Sequence, residues 1–398
     1  MIYKRKIYDV LLKHAQSRFA TVITGMRRTG KTTLIKSLLA DSPNKNSLFL
    51  DLERLDNREI FLQKNYDIVL DILADRGLNT KSPMLVALDE VQFVKEVPSV
   101  VKYLSDHYDV KFVITGSSSF YLKNVFNESL AGRKKIFELY PLDFGEYLTF
   151  RGVEYGKGRW EAKKMITAEV QRLSGYYEDY IRFGGFPQVV LASSIEEKRD
   201  LLSDIMSSYI NVDVSALADF TDTRNLYNLT KILAQRVGSR IDASKLSRLT
   251  GISRPTVMNY LEFLEKTYLI ATVKVKVKSP DREIVKAKKL YFVDTGLANY
   301  LAELSSGAQF ENTLYGQLSR QTLFLGIEDE VRYYALKTGQ EIDFIYHGLA
   351  FEAKERPIEQ DLAPLARLAG LAGVDTYRLI GRYATPKFGN YIWGGSIT

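Results

Sequence analysis

The amino-acid sequence predicts an α/β protein that is divided into several domains, and three observations lead to this prediction. The chain has 398 residues, whereas a typical domain has about 100–200 residues. An apolar strand, a glycine-rich loop and a helix follow one another between residues 19 and 40, which is typical of a parallel α/β sheet. Near the carboxyl terminus, a predicted helix is followed by three strands, a second helix and a final strand.

The composition narrows the class of protein. Hydrophobic residues make up 45% and charged residues 26% of the chain, a balance typical of proteins with apolar cores. The chain has no cysteine, which excludes disulfides, thiolate catalysis and cysteine-ligated zinc and fits a reducing cytoplasm. We expect neither a membrane-spanning helix nor a signal peptide. The net charge of +7 is a mild bias that is compatible with nucleic-acid binding.

The strongest motif lies between a predicted strand, Phe19 to Thr24, and a predicted helix, Lys31 to Ala40. Here Gly25-x-x-x-x-Gly30-Lys31-Thr32 forms the P-loop pattern. The glycines let backbone N–H groups point at phosphates, and the helix amino terminus adds partial positive charge. Lys31 is expected to reach the β- and γ-phosphates of ATP, and Thr32 to ligate Mg²⁺. The predicted nucleotide-binding residues are Gly25, Met26, Arg27, Arg28, Thr29, Gly30, Lys31, Thr32 and Thr33.

Two further apolar runs end in polar residues that suit this site. Met84 to Leu88 is followed by Asp89 and Glu90. We expect Asp89 to hold Mg²⁺ through water and Glu90 to polarise the attacking water. The next run, DVKFVITGSSS, ends in small polar residues. Thr115 or Ser117 would contact the γ-phosphate or the water, or the segment is only a turn.

The motifs of the whole chain resemble those of a known family. The segments that carry the resemblance are GMRRTGKTT, LDEVQ, ITGSSS, LAGRKKIFELYPLDFGEYL, YIRFGGFPQVV, YFVDTGLANYL, FENTLYGQL and TGQEIDFIYHGLAFEAK. They are similar to AAA+ ATPases, and more specifically to bacterial and archaeal ATPases with a conserved C-terminal domain of unknown function. The resemblance implies a Gly-Arg pair after the sensor strand, with Arg133 as a trans-acting arginine finger. A basic turn is the alternative role for Arg133.

The patterns divide the chain into four predicted domains. Residues 1–150 are expected to form a P-loop AAA+ ATPase domain with an αβα fold, and residues 151–236 a helical lid. Residues 237–290 show a helix-turn-helix followed by a wing. Residues 291–398 are expected to form an α/β domain that resembles nucleases.

The predicted winged helix suggests contact with DNA. A short helix, Ala243 to Leu249, is followed by a turn at Gly251 and by a helix that Ser253 can cap. In the next strand, valines alternate with lysines, so one face is apolar and the other basic. The lysines expected to contact DNA phosphates are Lys274, Lys276 and Lys278. Their alternative role is to keep an exposed hairpin from aggregating.

The C-terminal pattern is a helix, three strands, a helix and a strand, which resembles the order in restriction-endonuclease-like nucleases. Their motif, PD-(D/E)xK, is similar to Asp343, Glu352 and Lys354 here, although Ile342 replaces its proline. The resemblance implies that Asp343 and Glu352, with Glu311 on the first helix, hold Mg²⁺, and that Lys354 activates water. The alternative is a hairpin with a structural Glu–Lys pair.

Two functions follow from these patterns. The first is an ATP-hydrolysing AAA+ protein that binds DNA and carries an Mg²⁺-dependent nuclease-like domain. The second is a slow ATP-dependent switch or scaffold whose C-terminal domain binds protein partners without cleavage. A trans role for Arg133 would also require a homo-oligomer.

Overall fold

The chain folds into two units. A computed structural model describes residues 3–117, 132–156, 167–214, 223–277, 287–325, 329–385 and 387–398. The first unit consists of Met1–Tyr140, Ser207–Thr221 and Lys266–Tyr268, and the second of Pro141–Met206, Asp222–Glu265 and Leu269–Thr398.

The first unit has the α/β architecture that the sequence predicts. Its strands are β1 (Ala20–Thr24), β2 (Ser47–Asp51), β3 (Met84–Asp89), β4 (Val110–Gly116) and β5 (Lys134–Glu138). Its helices are α1 (Tyr8–Ala15), α2 (Lys31–Asp41), α3 (Leu55–Ile60), α4 (Tyr66–Asp75) and α5 (Val97–His107), with a 3-10 turn at Val91–Phe93 and a π-helical turn at Tyr209–Val214. The strands are parallel and lie in the order β2-β3-β4-β1-β5. Their carboxyl ends therefore meet at one edge of the sheet.

Strand β1 is buried along its whole length because both faces of the sheet are covered. Successive side chains point to opposite faces. Val22 lies in one apolar core with Val86 of β3, whereas Ile23 lies in a second core with Leu34 of α2. This burial on both faces fixes the position of the loop that follows β1.

The second unit combines helices with a mixed sheet in the order β12-β11-β10-β9-β8-β6-β7. Its strands are β6 (Ile270–Val275), β7 (Lys289–Phe292), β8 (Arg332–Ala335), β9 (Glu341–Tyr346), β10 (Leu349–Lys354), β11 (Thr376–Gly381) and β12 (Ile392–Trp393). Its helices are α6 (Phe144–Phe150), α7 (Thr167–Phe183), α8 (Pro187–Leu191), α9 (Ile195–Ser208), α10 (Thr223–Ala234), α11 (Ala243–Thr250), α12 (Arg254–Lys266), α13 (Thr295–Leu301), α14 (Ser306–Leu325) and α15 (Leu362–Ala372). In the described ranges, no helix has the length and apolar character needed to cross a membrane.

Helices α11 and α12 are joined by a tight turn. Helix α11 ends at Gly251, whose left-handed backbone (φ 71°) suits glycine. The Ser253 hydroxyl accepts a hydrogen bond from the Thr256 N–H at 3.3 Å and caps α12 as the sequence predicts. Strands β6 and β7 follow as an antiparallel pair. Lys278 and the predicted turn that follows it lie outside the described residues.

The carboxyl-terminal elements occur in the order that the sequence predicts. Helix α14 precedes β8, β9 and β10. Strand β9 pairs antiparallel to both β8 and β10. Helix α15 then leads to β11, which pairs parallel to β10. Apolar residues of β9, α15 and β11, among them Ile342, Leu365 and Leu379, form a common core. This packing fixes where the polar side chains of β9 and β10 lie.

Candidate functional site

The loop between β1 and α2 depends on two glycines. Gly25 has a φ of 155°, and a Cβ there would lie only 2.1 Å from the carbonyl oxygen of Leu139. Gly30 has a φ of 96° and forms the amino-terminal cap of α2. Other residues rarely adopt these backbone angles, so the glycines allow the chain to turn tightly at the carboxyl end of the sheet.

Lys31 is buried, and its side chain folds back over this loop. Its Nζ donates hydrogen bonds to the carbonyl oxygens of Gly25 at 2.9 Å and Met26 at 3.1 Å. The Thr29 hydroxyl also donates to the Met26 carbonyl, at 2.9 Å, and Arg5 donates to the Thr29 carbonyl at 3.0 Å. These bonds hold the ammonium at the mouth of the P-loop, where phosphate binding requires a positive charge.

Asp89, at the end of β3, connects the loop to the neighbouring strands. Its carboxylate accepts a hydrogen bond from the hydroxyl of Thr115. Burial raises the pKa of Asp89, and the nearby hydroxyls of Thr115 and Thr32 lower it in part. The structure thus brings Thr32 and Asp89, the two predicted Mg²⁺ residues of the P-loop site, close to each other.

Glu90 is held by a side chain that the sequence analysis missed. Its backbone is left-handed (φ 54°), and its N–H donates to the Thr115 hydroxyl at 3.3 Å. The Gln92 side-chain amide donates to the Glu90 carboxylate and, at 2.9 Å, to the Ser117 hydroxyl. All three side chains are buried. The LDEVQ segment contains Gln92, but only the 3-10 turn at Val91–Phe93 places its amide beside Glu90.

The side chains of Arg27, Arg28 and Thr33, also predicted to belong to the nucleotide site, have different surroundings. Arg27 forms an ion pair with Glu53 at 2.8 Å. Arg28 has a left-handed backbone (φ 64°), and its guanidinium donates to the Ser208 hydroxyl at 3.3 Å. Thr33 is exposed on the first turn of α2. The two arginine side chains of the loop thus have protein partners.

Arg133 lies away from the P-loop of its own chain. It precedes β5 at the amino-terminal edge of the sheet, where its carbonyl accepts the N–H of Ala20 at 2.8 Å. The P-loop follows the opposite, carboxyl-terminal edge. The Arg133 guanidinium donates to both carboxylate oxygens of Asp106, at 2.5 and 2.6 Å. Its role as a finger toward a neighbouring chain stays a prediction.

In the second unit, the predicted C-terminal residues lie close together. The Asp343 carboxylate on β9 accepts the N–H of Ala353 on β10 at 2.9 Å. Glu352 and Lys354 form an ion pair at 3.1 Å. Burial, and then repulsion by Glu352 and Glu311, raise the pKa of Asp343 well above its usual range. Burial also raises the pKa of Glu352, although Lys354 opposes this shift.

A buried lysine that the sequence analysis missed occupies the centre of these acids. Lys289, the first residue of β7, has 1% of its side chain exposed. Its Nζ lies 2.9 Å from Glu341, 3.4 Å from Glu311 and 3.8 Å from Asp343. Burial lowers the pKa of Lys289, but the three carboxylates outweigh burial and raise it. No sequence motif marks this lysine, because β7 lies about fifty residues before β9.

The predicted Mg²⁺ ligands Glu311, Asp343 and Glu352 can be tested against this arrangement. Mg²⁺ takes oxygen ligands at about 2.0–2.1 Å. The ammonium of Lys289 already lies between Glu311 and Asp343. Among the described residues, no group of three or more His, Cys, Asp or Glu side chains is arranged to hold a metal ion. The geometry does not fit a divalent ion, and metal binding here stays a prediction.

The predicted DNA-contacting residues differ in their surroundings. Lys274 forms an ion pair with Glu330 at 2.9 Å, and Lys276 is half-buried. On α12, Arg254 and Asn259 are exposed, whereas the apolar side of the helix, represented by Val257, is buried. An exposed polar side on the second helix is a common feature of helix-turn-helix proteins.

The parallel sheet, the glycine-rich loop and the Thr32–Asp89 pair define a P-loop nucleotide-binding domain. Comparisons with protein families agree: residues 17–148 match the model of an AAA domain, and residues 174–308 match a domain of unknown function, DUF8612. Residues 17–148 therefore form an AAA domain. The resemblance to AAA+ proteins is confirmed for this part of the chain.

The chain is similar to proteins of bacteria and archaea. An uncharacterized protein of Haemophilus influenzae is 28% identical over 91% of this chain and 90% of its own length. One from Methanocaldococcus jannaschii is 28% identical over 82% of this chain and 72% of its own. One from Mycobacterium tuberculosis is 24% identical over 76% of this chain and 60% of its own length.

Solved structures show weaker similarity. The Aeropyrum pernix ORC1 protein in complex with DNA is 13% identical, with a TM-score of 0.31 over 76% of this chain and 92% of that chain. AMPPCP-bound DnaA from Aquifex aeolicus is 17% identical, with a TM-score of 0.27 over 67% of this chain and 89% of that chain. These TM-scores are too low to support an inference about function.

Proposed function

We propose that the chain binds and hydrolyses ATP with Mg²⁺ and couples the nucleotide to DNA binding. One observation carries the nucleotide part: the hydroxyl of Thr32 lies beside the buried carboxylate of Asp89. These residues start α2 and end β3, and P-loop proteins use this pair to hold Mg²⁺. The hydroxyl and carboxylate are oxygen donors, which fit the ion.

The residues of the loop have separate roles in this proposal. Backbone N–H groups between Gly25 and Thr32 and the ammonium of Lys31 hold the phosphates. Mg²⁺, when bound, supplies positive charge that offsets the charge developing on the phosphates. The Glu90 carboxylate orients the attacking water and accepts its proton. Gln92 keeps this carboxylate in place.

Replacement of Lys31 tests the nucleotide site. In Lys31→Ala we expect tight ATP binding and turnover to be lost, because the loop loses its cation at the phosphate position. Binding of a fluorescent ATP analogue and phosphate release would be measured. The matched control is Lys36→Ala, an exposed lysine further along α2. Unchanged binding and turnover in Lys31→Ala would contradict the proposal.

The DNA part of the proposal rests on the elements from α11 to β7. Two helices joined by a tight turn and followed by an antiparallel strand pair match the order of a winged helix. The exposed side of α12 carries Arg254 and Asn259, side-chain types that contact phosphates and base edges. Lys276 and Lys278 would add phosphate contacts.

We also propose a restriction-endonuclease-like fold for the carboxyl-terminal domain, because α14, β8 to β11 and α15 follow that order. Asp343, Glu352 and Lys354 favour metal-dependent cleavage, the second candidate function, since they lie together on adjacent strands. Lys289 opposes it, because its ammonium lies in the acidic pocket formed by the carboxylates of Glu311, Glu341 and Asp343. The proposed function of the domain is therefore to bind partners without cleaving DNA. We propose that the protein acts in the cytoplasm.

A further inference from the structure

The acidic pocket of the second unit already contains a cation supplied by the chain. The ammonium of Lys289 contacts carboxylate oxygens of Glu341, Glu311 and Asp343 at 2.9, 3.4 and 3.8 Å. These acids come from α14 and β9, so elements distant in sequence converge on a single nitrogen. Asp343, at 3.8 Å, interacts with the ammonium through its charge and not through a hydrogen bond.

The lysine is enclosed, not placed at the edge of the pocket. Its side chain is 1% exposed, and its Nζ lies 5.6 Å from the centroid of the Tyr333 ring. A lysine that is buried to this extent requires compensating charges. Reorienting it toward solvent would leave Glu311 and Asp343 without this cation in an apolar environment.

The acids have further partners that fix their orientation. The Tyr291 hydroxyl donates to Glu311 at 2.6 Å, and Arg240 lies 3.6 Å from Glu341. Asp343 accepts the N–H of Ala353. The oxygens that face Lys289 are thus positioned by groups around the pocket. These contacts show a preorganised arrangement built for an ammonium group.

A divalent ion would compete with this arrangement. It would need oxygens at about 2.0–2.6 Å, and it would lie within a few ångströms of the Lys289 charge. Repulsion between like charges is strong at such distances in a poorly solvated pocket. The ion and the Lys289 ammonium would therefore compete for the oxygens of Glu311 and Asp343.

We infer that the ammonium of Lys289 is the resident cation of this pocket in place of a divalent metal ion, and that the domain acts without metal-dependent cleavage. The inference rests on the proposed restriction-endonuclease-like fold, and it identifies the residue that separates this chain from a metal-dependent nuclease. Removing the charge of Lys289 while keeping its length should open the pocket to a metal ion.

Mn²⁺ binding to the nucleotide-free full chain tests the inference. An Asp89→Asn background weakens metal binding at the P-loop, because the carboxylate there is lost. Electron paramagnetic resonance of free Mn²⁺ then reports binding elsewhere. We expect no binding with native Lys289 and an additional bound Mn²⁺ in Lys289→Met. Lys354→Met is the matched control and should not gain this ion, because Lys289 remains in place.

Thermal melting provides a second measurement that does not depend on the folding of Lys289→Met. A ligand that binds the folded state raises the melting temperature. We expect Mn²⁺ to leave the melting temperature of the Asp89→Asn protein unchanged. A rise that Asp343→Asn abolishes would overturn the inference, as would a folded Lys289→Met variant that binds no Mn²⁺. Neither result depends on ATP turnover or DNA affinity, so a failure here is distinct from a failure of the proposed function.

Discussion

The amide of Gln92 links two residues that the sequence analysis assigns to catalysis. It donates one hydrogen bond to Glu90 and another to Ser117, and all three side chains are buried at the carboxyl ends of β3 and β4. Glu90 itself has a left-handed backbone (φ 54°), which is uncommon outside glycine and is frequent at functional sites. The carboxylate therefore depends on Gln92 for its position.

Replacing Gln92 should slow turnover without weakening ATP binding. In Gln92→Ala we expect kcat to fall about ten- to a hundred-fold, since small misplacements of a catalytic group have effects of this size. KM should stay near its original value, because the phosphates are held by Lys31 and the loop backbone. Steady-state kinetics would separate the two constants. Gln171→Ala, at an exposed position on α7, is the control. A raised KM with unchanged kcat would argue against a positioning role.

At the scale of elements, helix α12 is the clearest candidate for DNA contact. Its buried side holds Val257, Tyr260 and Leu264 against the core, so its exposed side is fixed in orientation. The wing is a weaker candidate, because Lys274 is paired with Glu330. The contribution of the helix can therefore be tested separately from that of the strand lysines.

Arg254→Ala should weaken binding to duplex DNA and lower its dependence on salt. Each phosphate contact adds about one unit to the slope of log K against log salt concentration, so we expect the slope to decrease by about one. Fluorescence anisotropy at several salt concentrations would measure it. Arg199→Ala, an exposed arginine on α9, makes the same change in net charge elsewhere. Equal losses in both variants, or no binding at low salt, would favour the scaffold function.

Elements that depend on local sequence patterns can be predicted, whereas contacts between separate elements cannot. The P-loop and the Asp89–Glu90 pair depend on local spacing along the chain. The same is true of the order in which helices and strands follow one another in the carboxyl-terminal domain, and hydrophobic periodicity predicts such features. The cap at Ser253 is predicted for the same reason. Lys289 and Gln92 act through contacts formed only when separate strands assemble or a short turn closes, and no local pattern marks them. The partner of Arg133, Asp106, was likewise not predictable from the Gly-Arg pair.

At the scale of the whole molecule, the chain contributes to the nucleotide-binding unit at three places. After α12, Lys266–Tyr268 belongs to the first unit, where the Tyr268 hydroxyl donates to Glu138 at the end of β5 at 3.1 Å. Glu138 is aligned with Thr24, the last residue before the P-loop. Tyr268, two residues after the proposed DNA-binding helix, thus contacts a strand that is paired with the strand leading into the P-loop.

Incubation with supercoiled plasmid tests whether the carboxyl-terminal domain cleaves DNA. With Mg²⁺ or Mn²⁺ we expect the protein to leave the plasmid uncut, with or without ATP, because the Lys289 ammonium already pairs with Glu311 and Asp343, two of the predicted metal ligands. Gel electrophoresis would detect nicked or linear products, and phosphate release from the same samples would show that the ATPase is active. Asp343→Ala is the matched control. Cleavage by the native protein that Asp343→Ala abolishes would instead assign a nuclease site to Asp343, Glu352 and Lys354, and its dependence on ATP would connect that site to the P-loop.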